Sequence, residues 1–452
     1  MKKTLLLVVA FLLLVPFASI DGSDVSSLNN SNGNILYVGG SGPNNYTSIQ
    51  DAIDDAENGY TIYVYYRVYN ESIVINKSVS LIGIVEDREK PIINGSENNI
   101  TVLVEANNCT ISGFIILNGE VGVQLRNSSY ITVESITVKH AGVGIKLLNS
   151  DNNLIKNNEV TKSRGIGIWI DGFSSDSVII QNSVVNNAGV GIGAEGTSIT
   201  HGNSSNNIIS YNVVAKNCDG IDICDLIDST ISFNQVYSNQ QYGITAFACS
   251  NLSILNNSIH NHAYGGVLVS DSSNCTISGN ELYSNQAGVM LDGTIGVNYE
   301  GSTHNVVTRN NIHGNGVGIY WESGCKNNYF TYNNIVDNSE NAYFWTSLEI
   351  GDPDFPLHRP CQNIWNRNYW SDWTTSVPKP IRGMVTVWLS SFYIDLPWLT
   401  FDKHPATEPY GNNTLPNAEK YTDATAFIRE TISLPPTSLP QTSNSLPRSP
   451  PR

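Results

Sequence analysis

The chain is short of charge. Only 14% of its 452 residues are Asp, Glu, Lys or Arg, and just 24 are basic, which leaves a formal charge of −16. A phosphate backbone is held by Lys and Arg, so a nucleic-acid partner is excluded. Methionine is scarce too: three Met and eight His give only thin support for a copper site. The seven cysteines (Cys109, Cys218, Cys224, Cys249, Cys275, Cys325 and Cys361) are odd in number and lack CxxC spacing, so neither a zinc site nor a full disulfide framework is indicated. Cys249 and Cys275, near the same turn of successive repeats, are the pair to examine. After the N-terminus no apolar run is long enough to span a bilayer, so no transmembrane partner is implied. The one apolar run, Leu5 to Phe17, follows Lys2 and Lys3 and precedes Ala18, Ser19 and Gly22. That is the order of a secretory signal peptide, expected over residues 1–22, with an uncleaved anchor as the alternative. N-x-Ser/Thr triplets at Asn45, Asn70, Asn76, Asn94, Asn99, Asn108, Asn127, Asn203, Asn251, Asn274 and Asn412 are compatible with an outer-surface location.

What is abundant is a repeat. A glycine recurs at Gly144, Gly167, Gly191, Gly220, Gly243, Gly266, Gly288 and Gly318, in steps of 22 to 30 residues. A second column, Asn followed two residues later by Val, Ile or Leu, recurs with the same period at Asn158, Asn182, Asn212, Asn234, Asn257, Asn280, Asn310 and Asn333. Two columns of different chemistry sharing one period mark a stacked supersecondary unit. The residues after each glycine alternate: positions one and three are apolar throughout, as in Ile168 and Ile170, whereas position two is mixed, as in Lys146, Trp169, Asp222 and Tyr320. Alternation of this kind is strand periodicity, and strands paired one coil apart are parallel. The fold class is therefore all-β, a single-stranded right-handed parallel β-helix of about ten to twelve coils of roughly 23 residues. The asparagines are expected to form an inward turn ladder.

The expected organisation is a signal peptide (1–22), a cap with the first coils (34–99), β-helix repeats (100–345), a C-terminal closing region (346–410) and a Pro/Ser/Thr-rich disordered tail (411–452). Within the first part, Tyr46 to Ala56 reads as a short amphipathic capping helix, with Thr47 or Ser48 as N-cap and Ile49, Ala52, Ile53 and Ala56 on one face. The stretch from Leu36 to Gly83 resembles the N-terminal entry of pectin-lyase-like β-helix proteins, especially NosD-like surface or periplasmic members. WNRNYWSDW, Trp365 to Trp373, resembles the closing motif of the same family. Tyr66, Arg67 and Val68 depart from it where the family usually carries Pro-Gly-Thr. Ile381 to Tyr410, with Trp388, Trp398 and several prolines, is expected to be irregular or to form short strands on the last coil.

The catalytic sets of related polysaccharide enzymes are absent. Asp-Asp occurs only at Asp54 and Asp55 on the cap helix, no Gly-His-Gly occurs, and Trp169, Ile170 and Asp171 match only half of a lyase Trp-Ile-Asp-His element. What stands out is an acidic row four residues after the glycine, Asp171, Glu195, Asp292 and Glu322, with Asp225 and Asp271 one residue further along. The two inserted loops, Gly193 to Ser205 and Asp292 to Thr303, leave from the same edge; they contain Glu195 and Glu300 and end near His201 and His304. Insertions on one face of a solenoid mark a binding face. Trp169 and Tyr320 beside the row are candidate sugar-stacking rings. The carboxylates are candidate acceptors for sugar hydroxyls, and Asp171, Glu195 and Asp292 are weak candidate Ca²⁺ ligands. A plain alternative is that acids at strand ends favour turns and solubility. His260, His262 and His313 read as solvent-facing repeat positions. The leading expectation is a secreted or cell-surface β-helix, periplasmic where the host has a periplasm, that binds carbohydrate or acts as an envelope or adhesive module. The rival is a lyase or glycoside hydrolase acting on acidic polysaccharide through an unfamiliar carboxylate site; a copper-related accessory role comes third.

Overall fold

A computed structural model describes residues 34–96, 99–196, 204–293, 301–322, 324–349, 362–389 and 392–411. The expected signal segment, the tail from 412, and His201 and Glu300 in the two inserted loops lie outside the described residues.

Each coil supplies three short strands. Column A begins at the repeat glycine (Val143–Leu148, Ile168–Asp171, Ile192–Glu195), column B follows (Leu154–Lys156, Val178–Ile180, Ile208–Ser210), and column C closes the coil (Glu159–Thr161, Ser183–Val185, Val213–Ala215). Every strand pairs in parallel with its equivalent one coil on. Ile145 stands on Ile168, Ile192 and Ile221 in turn, and Leu147 on Ile170, Ala194 and Ile223. These positions, one and three after the glycine, are buried, and they merge into a single core running from Val38 to Val385. Burying each Val, Ile or Leu contributes about 1.5–3 kcal/mol, so the stack is stabilised coil by coil. Column C contains 13 strands. Among the described residues that is one above the ten to twelve coils expected: besides the eight repeat glycines, Gly122, Ser72, Thr101 and Asn341 occupy the glycine position, and the first coil has no column A strand. Elsewhere glycine is a packing requirement. A Cβ on Gly191 would lie 2.5 Å from Val214 and 2.8 Å from the Gly220 carbonyl.

Both ends of the core are closed. Helix α1, Ile49–Asp55, buries Ile49, Ala52 and Ile53 against the first coil, and Ser48 is its N-cap. Glu71, from the coil beneath, accepts hydrogen bonds from Ser48 Oγ (2.9 Å), Ile49 N (2.9 Å) and Gln50 N (3.1 Å), which satisfies the helix's unpaired donors with a negative charge. At the far end aromatic residues replace aliphatic ones: Phe330 stacks on Trp365 at 4.2 Å, and Trp321 on Phe344 at 4.6 Å. The closing region is more regular than its prolines suggest. Lys379–Leu389 extends column A, and Phe392–Asp402 returns antiparallel to it as a long hairpin. Pro397 is tolerated because it lies in the outermost strand.

The turn between columns B and C holds the asparagine ladder. The residue before each ladder Asn is left-handed whatever its type, including bulky Tyr211 (φ 56°) and Phe233 (φ 56°). That geometry turns the next residue inward. Asn182, Asn212, Asn234, Asn257, Asn280 and Asn310 each donate from Nδ2 to Oδ1 of the next at 3.0 Å. The same Oδ1 also accepts the backbone N–H of the preceding Asn, as from Asn234 to Asn257 at 2.9 Å. Asn suits this place because one short side chain carries both donor and acceptor. The ladder continues through Asn333 and Asn368 and ends on Asp402, whose buried carboxylate accepts from Asn368 N (2.9 Å), Asn368 Nδ2 (3.0 Å) and Trp370 Nε1 (3.1 Å).

A second ladder, absent from the sequence expectations, follows column C: Asn187, Asn217 and Asn239, then Asn285, Asn315 and Asn338. His262 fills the gap between them. It is buried rather than solvent-facing, its Nε2 lies 3.1 Å from the Val236 carbonyl, and its Nδ1 has no partner. Burial pushes its pKa down to about 4. Cys249 and Cys275 are both free thiols. They occupy different turn columns, filled in the next coil by Ser272 and Asn305, so the suggested pairing does not form.

Two outcomes follow from the ladders. Replacing Asn234 and Asn257 together by Leu leaves inward backbone N–H groups unpaired, each costing about 1–3 kcal/mol, and should lower the thermal midpoint clearly, read by circular dichroism. His262 is depressed in the fold, so stability is complete above the unfolded pKa and falls as pH drops from about 6.5 towards 4, by an amount on the order of 3 kcal/mol. His262→Asn should reconnect the ladder and flatten the dependence of melting on pH across that window.

Candidate functional site

Column A sends alternate side chains outward, and on successive coils these form rows parallel to the solenoid axis. At the N-terminal end of this face Lys146 dominates. Its Nζ lies 2.7 Å from Asp171 Oδ2 and 3.9 Å from the Trp169 ring centroid. Asp171 is thus committed to a half-buried ion pair, and one face of Trp169 is covered by the ammonium. The ring lies beside Gly193 of the next coil, where an added Cβ would come 3.6 Å from Trp169 Cδ1.

Strand register divides the acidic row. Glu195 stands on Cys224, Phe247, Ser270 and then Asp292, so the row is neutral between the two acids, which are roughly 19 Å apart at about 4.8 Å per coil. Asp225 and Asp271 sit in left-handed turns just past the strands. The structure therefore brings Asp171 near Glu195 and Asp292 near Glu322 on adjacent coils, and does not join the two pairs. Among the described residues no three His, Cys, Asp or Glu side chains are grouped to hold a metal ion. Calcium needs six to eight oxygens, and Asp292 is too far along the axis to share an ion with Asp171 and Glu195.

The more developed constellation is further along the same face. Asp219 Oδ1 accepts the Tyr242 N–H at 3.0 Å, and the Tyr242 and Tyr264 rings lie 5.6 Å apart. Thr245 Oγ1 donates to Asp222 Oδ1. Leu268 and Met290 continue the row, and Tyr320 stacks on Tyr343 at 6.2 Å while its hydroxyl donates to Glu322 Oε1 at 2.9 Å. Tyr264 is 53% exposed, and the other three tyrosines are half-buried. Burial raises the Asp222 pKa, and neighbouring Asp219 raises it further. Burial likewise raises Tyr242 and Tyr320, with Asp292 and Glu322 adding to both, so one field of negative charge covers the face. Asp219, Asp222, Tyr242, Tyr264 and Tyr343 were not among the sequence candidates: position two after the glycine contributed only its rings Trp169 and Tyr320, although Asp222 stands in it, and the positions before the glycine were not followed. The rows one before and two after it hold most of them.

On column C, Tyr237, His260, Tyr283 and His313 stack with centroid spacings of 5.3, 4.5 and 5.3 Å, and His313 Nε2 lies 2.7 Å from Glu281 Oε1. A tyrosine separates the two imidazoles, His262 is buried elsewhere, and Met290 is on column A. These residues do not fit a shared copper site.

The fold is that of a right-handed parallel β-helix protein. Residues 89–225 match the family model described as right-handed beta helix region, and residues 189–374 match the one described as periplasmic copper-binding protein (NosD). A cell surface glycoprotein of Methanothermus fervidus is 31% identical over 209 residues, covering 38% of this chain and 32% of the relative, so the chain spans about a third of that protein's length. Among solved structures, the A-module of mannuronan C-5 epimerase AlgE4 from Azotobacter vinelandii has a TM-score of 0.57 at 17% identity, covering 65% of this chain and 91% of its own. The catalytic domain of a GH87 α-1,3-glucanase in complex with tetrasaccharides gives 0.54 at 14%, covering 74% and 70%. At these identities the likeness is one of fold. No helix of the described residues is long and apolar enough to cross a membrane.

The raised Asp222 pKa gives a sign to one measurement. A carboxyl raised in the fold loses stability as pH climbs from its unfolded value through its folded one. Asp222→Asn should therefore raise the melting temperature at neutral pH and change it little below pH about 3, where both side chains are neutral.

Proposed function

We propose that the protein is an extracellular or cell-surface β-helix that binds a polysaccharide along the outer face of column A. The observation that carries this reading is the row of tyrosines and carboxylates on consecutive coils, at the edge from which both inserted loops leave. Sugar rings stack on exposed aromatic surface, and sugar hydroxyls donate to carboxylates and phenols. Tyr242, Tyr264, Tyr320, Asp292 and Glu322 form the proposed centre. Trp169, Asp171 and Glu195 extend it towards the N-terminus, with Trp169 already partnered by Lys146. The apolar N-terminal run and the similarity to a cell surface glycoprotein support the location.

A second reading, catalysis, is favoured by one observation. Burial and the neighbouring Asp219 raise the Asp222 pKa, and a raised carboxyl is what a general acid requires. A glycan array followed by calorimetry and by reducing-end and unsaturated-product assays separates the two. Tyr242→Ala with Tyr320→Ala should weaken binding of a positive glycan about tenfold or more, the loss of one to two stacking contacts. Unchanged affinity would remove this face from consideration, and turnover abolished by Asp222→Asn would establish the enzymatic reading over the binding one.

A further inference from the structure

The charge on this face points to the class of glycan, given the carbohydrate-binding reading above. From Ile192 to Trp345 the described outward side chains of column A include Glu195, Asp219, Asp222, Asp292 and Glu322 but no Lys, Arg or His. Between Gly165 and Glu349 the sequence holds three Lys or Arg in all. Lys216 follows column C strand Val213–Ala215, Arg309 follows column B strand Val306–Thr308, and Lys326 precedes column B strand Tyr329–Thr331. Arg309 lies on the turn between columns B and C, away from this face; Lys216 opens the turn from column C to column A, and Lys326 lies on the turn after column A, bridged to Thr303 at the end of the inserted loop, and none of the three is on a column A strand. The nearest cations on it are at its limits: Lys146 is paired with Asp171, and Arg382 stands on Tyr343 in the closing hairpin.

We infer that the face takes an uncharged polysaccharide and rejects polyuronates. A sugar carboxylate is held in proteins by Arg or Lys, through charge-assisted and often bidentate hydrogen bonds. No such partner faces the row. Uronates laid along it would instead meet protein carboxylates on several of its coils, a repulsion that acts within a Debye length of about 8 Å at physiological salt and weakens as salt is raised. Neutral pyranoses have the complementary chemistry, with hydroxyl donors for five carboxylates and C–H faces for Tyr242, Tyr264, Leu268, Met290 and Tyr320. The coil rise of about 4.8 Å is close to the length of one extended pyranose, so a chain lying along the axis would set roughly one sugar on each coil.

The test uses the full chain in affinity electrophoresis and calorimetry. One arm contains neutral α- and β-glucans, and the other polygalacturonate and alginate, each with EDTA and with added Ca²⁺, at low and high salt. The expected result is binding to at least one neutral glycan that is insensitive to salt, with polyuronates at least tenfold weaker and improving as salt is raised. A polyuronate that binds as tightly as the best neutral glycan, with or without Ca²⁺, overturns the inference and leaves the carbohydrate reading standing. No binding anywhere in the panel sinks that reading and the inference with it. In Asp219→Asn with Asp292→Asn, checked for folding by circular dichroism, the discrimination should narrow severalfold; an unchanged ratio shows that these charges do not set it.

Discussion

The protein rests on one repeated hydrogen-bond exchange. At the turn between columns B and C the chain is bent through a left-handed residue, and the backbone N–H that follows faces inward with no strand partner. The Oδ1 of the next coil's asparagine accepts it, and the Nδ2 of the same side chain reaches the next amide in line. Each coil therefore satisfies the one before it. The short B and C strands, three residues each in most coils, can pair in register only because this turn is held to the same shape every time.

A chain of donors and acceptors of this kind has to end, and its ends explain residues that otherwise look arbitrary. At the C-terminal end no further asparagine is available, and Asp402, delivered by the returning hairpin, takes its place with two acceptor oxygens. At its N-terminal end the ladder starts at Asn158, whose Oδ1 accepts the Ile136 N–H; separately, the donors of the capping helix are accepted by Glu71. Both closures use a carboxylate because several N–H groups converge where nothing else can accept. His262 shows the converse case: inserted in a ladder of amides, its ring cannot pass on both bonds, and the second ladder is interrupted there.

With backbone demands met inside, the outer face of column A is free to vary. Position two after the glycine runs through Lys146, Trp169, Gly193, Asp222, Thr245, Leu268, Met290, Tyr320 and Tyr343. That variety on an invariant scaffold is where the proposed specificity would reside, and here it takes the form of aromatic rings set among carboxylates without a facing cation. A solenoid offers this as a long, flat, regularly spaced surface, which suits a chain-like ligand better than a small one.

The sequence by itself determined the coil. The period, the inward columns, the asparagine ladder and the capping helix were all legible because each is a local pattern repeated many times, and repetition multiplies a weak signal. Single events were not legible: the burial of His262, the ending of the ladder on Asp402, and the regular hairpin in a proline-bearing segment each depend on one residue meeting another far away in sequence. The candidate site lies between these cases. Those of its tyrosines and acids at positions two and four after the glycine are outward-facing by simple alternation, whereas Asp219 and Tyr242, one before it, are not predicted so; and the acidic row appeared continuous from Asp171 to Glu322 until the strand register showed Cys224, Phe247 and Ser270 between its halves. Spacing along the chain decides which way a side chain points; only the stacking of coils decides what it stands beside, because neighbours on this surface are more than twenty residues apart in sequence and about 4.8 Å apart in space.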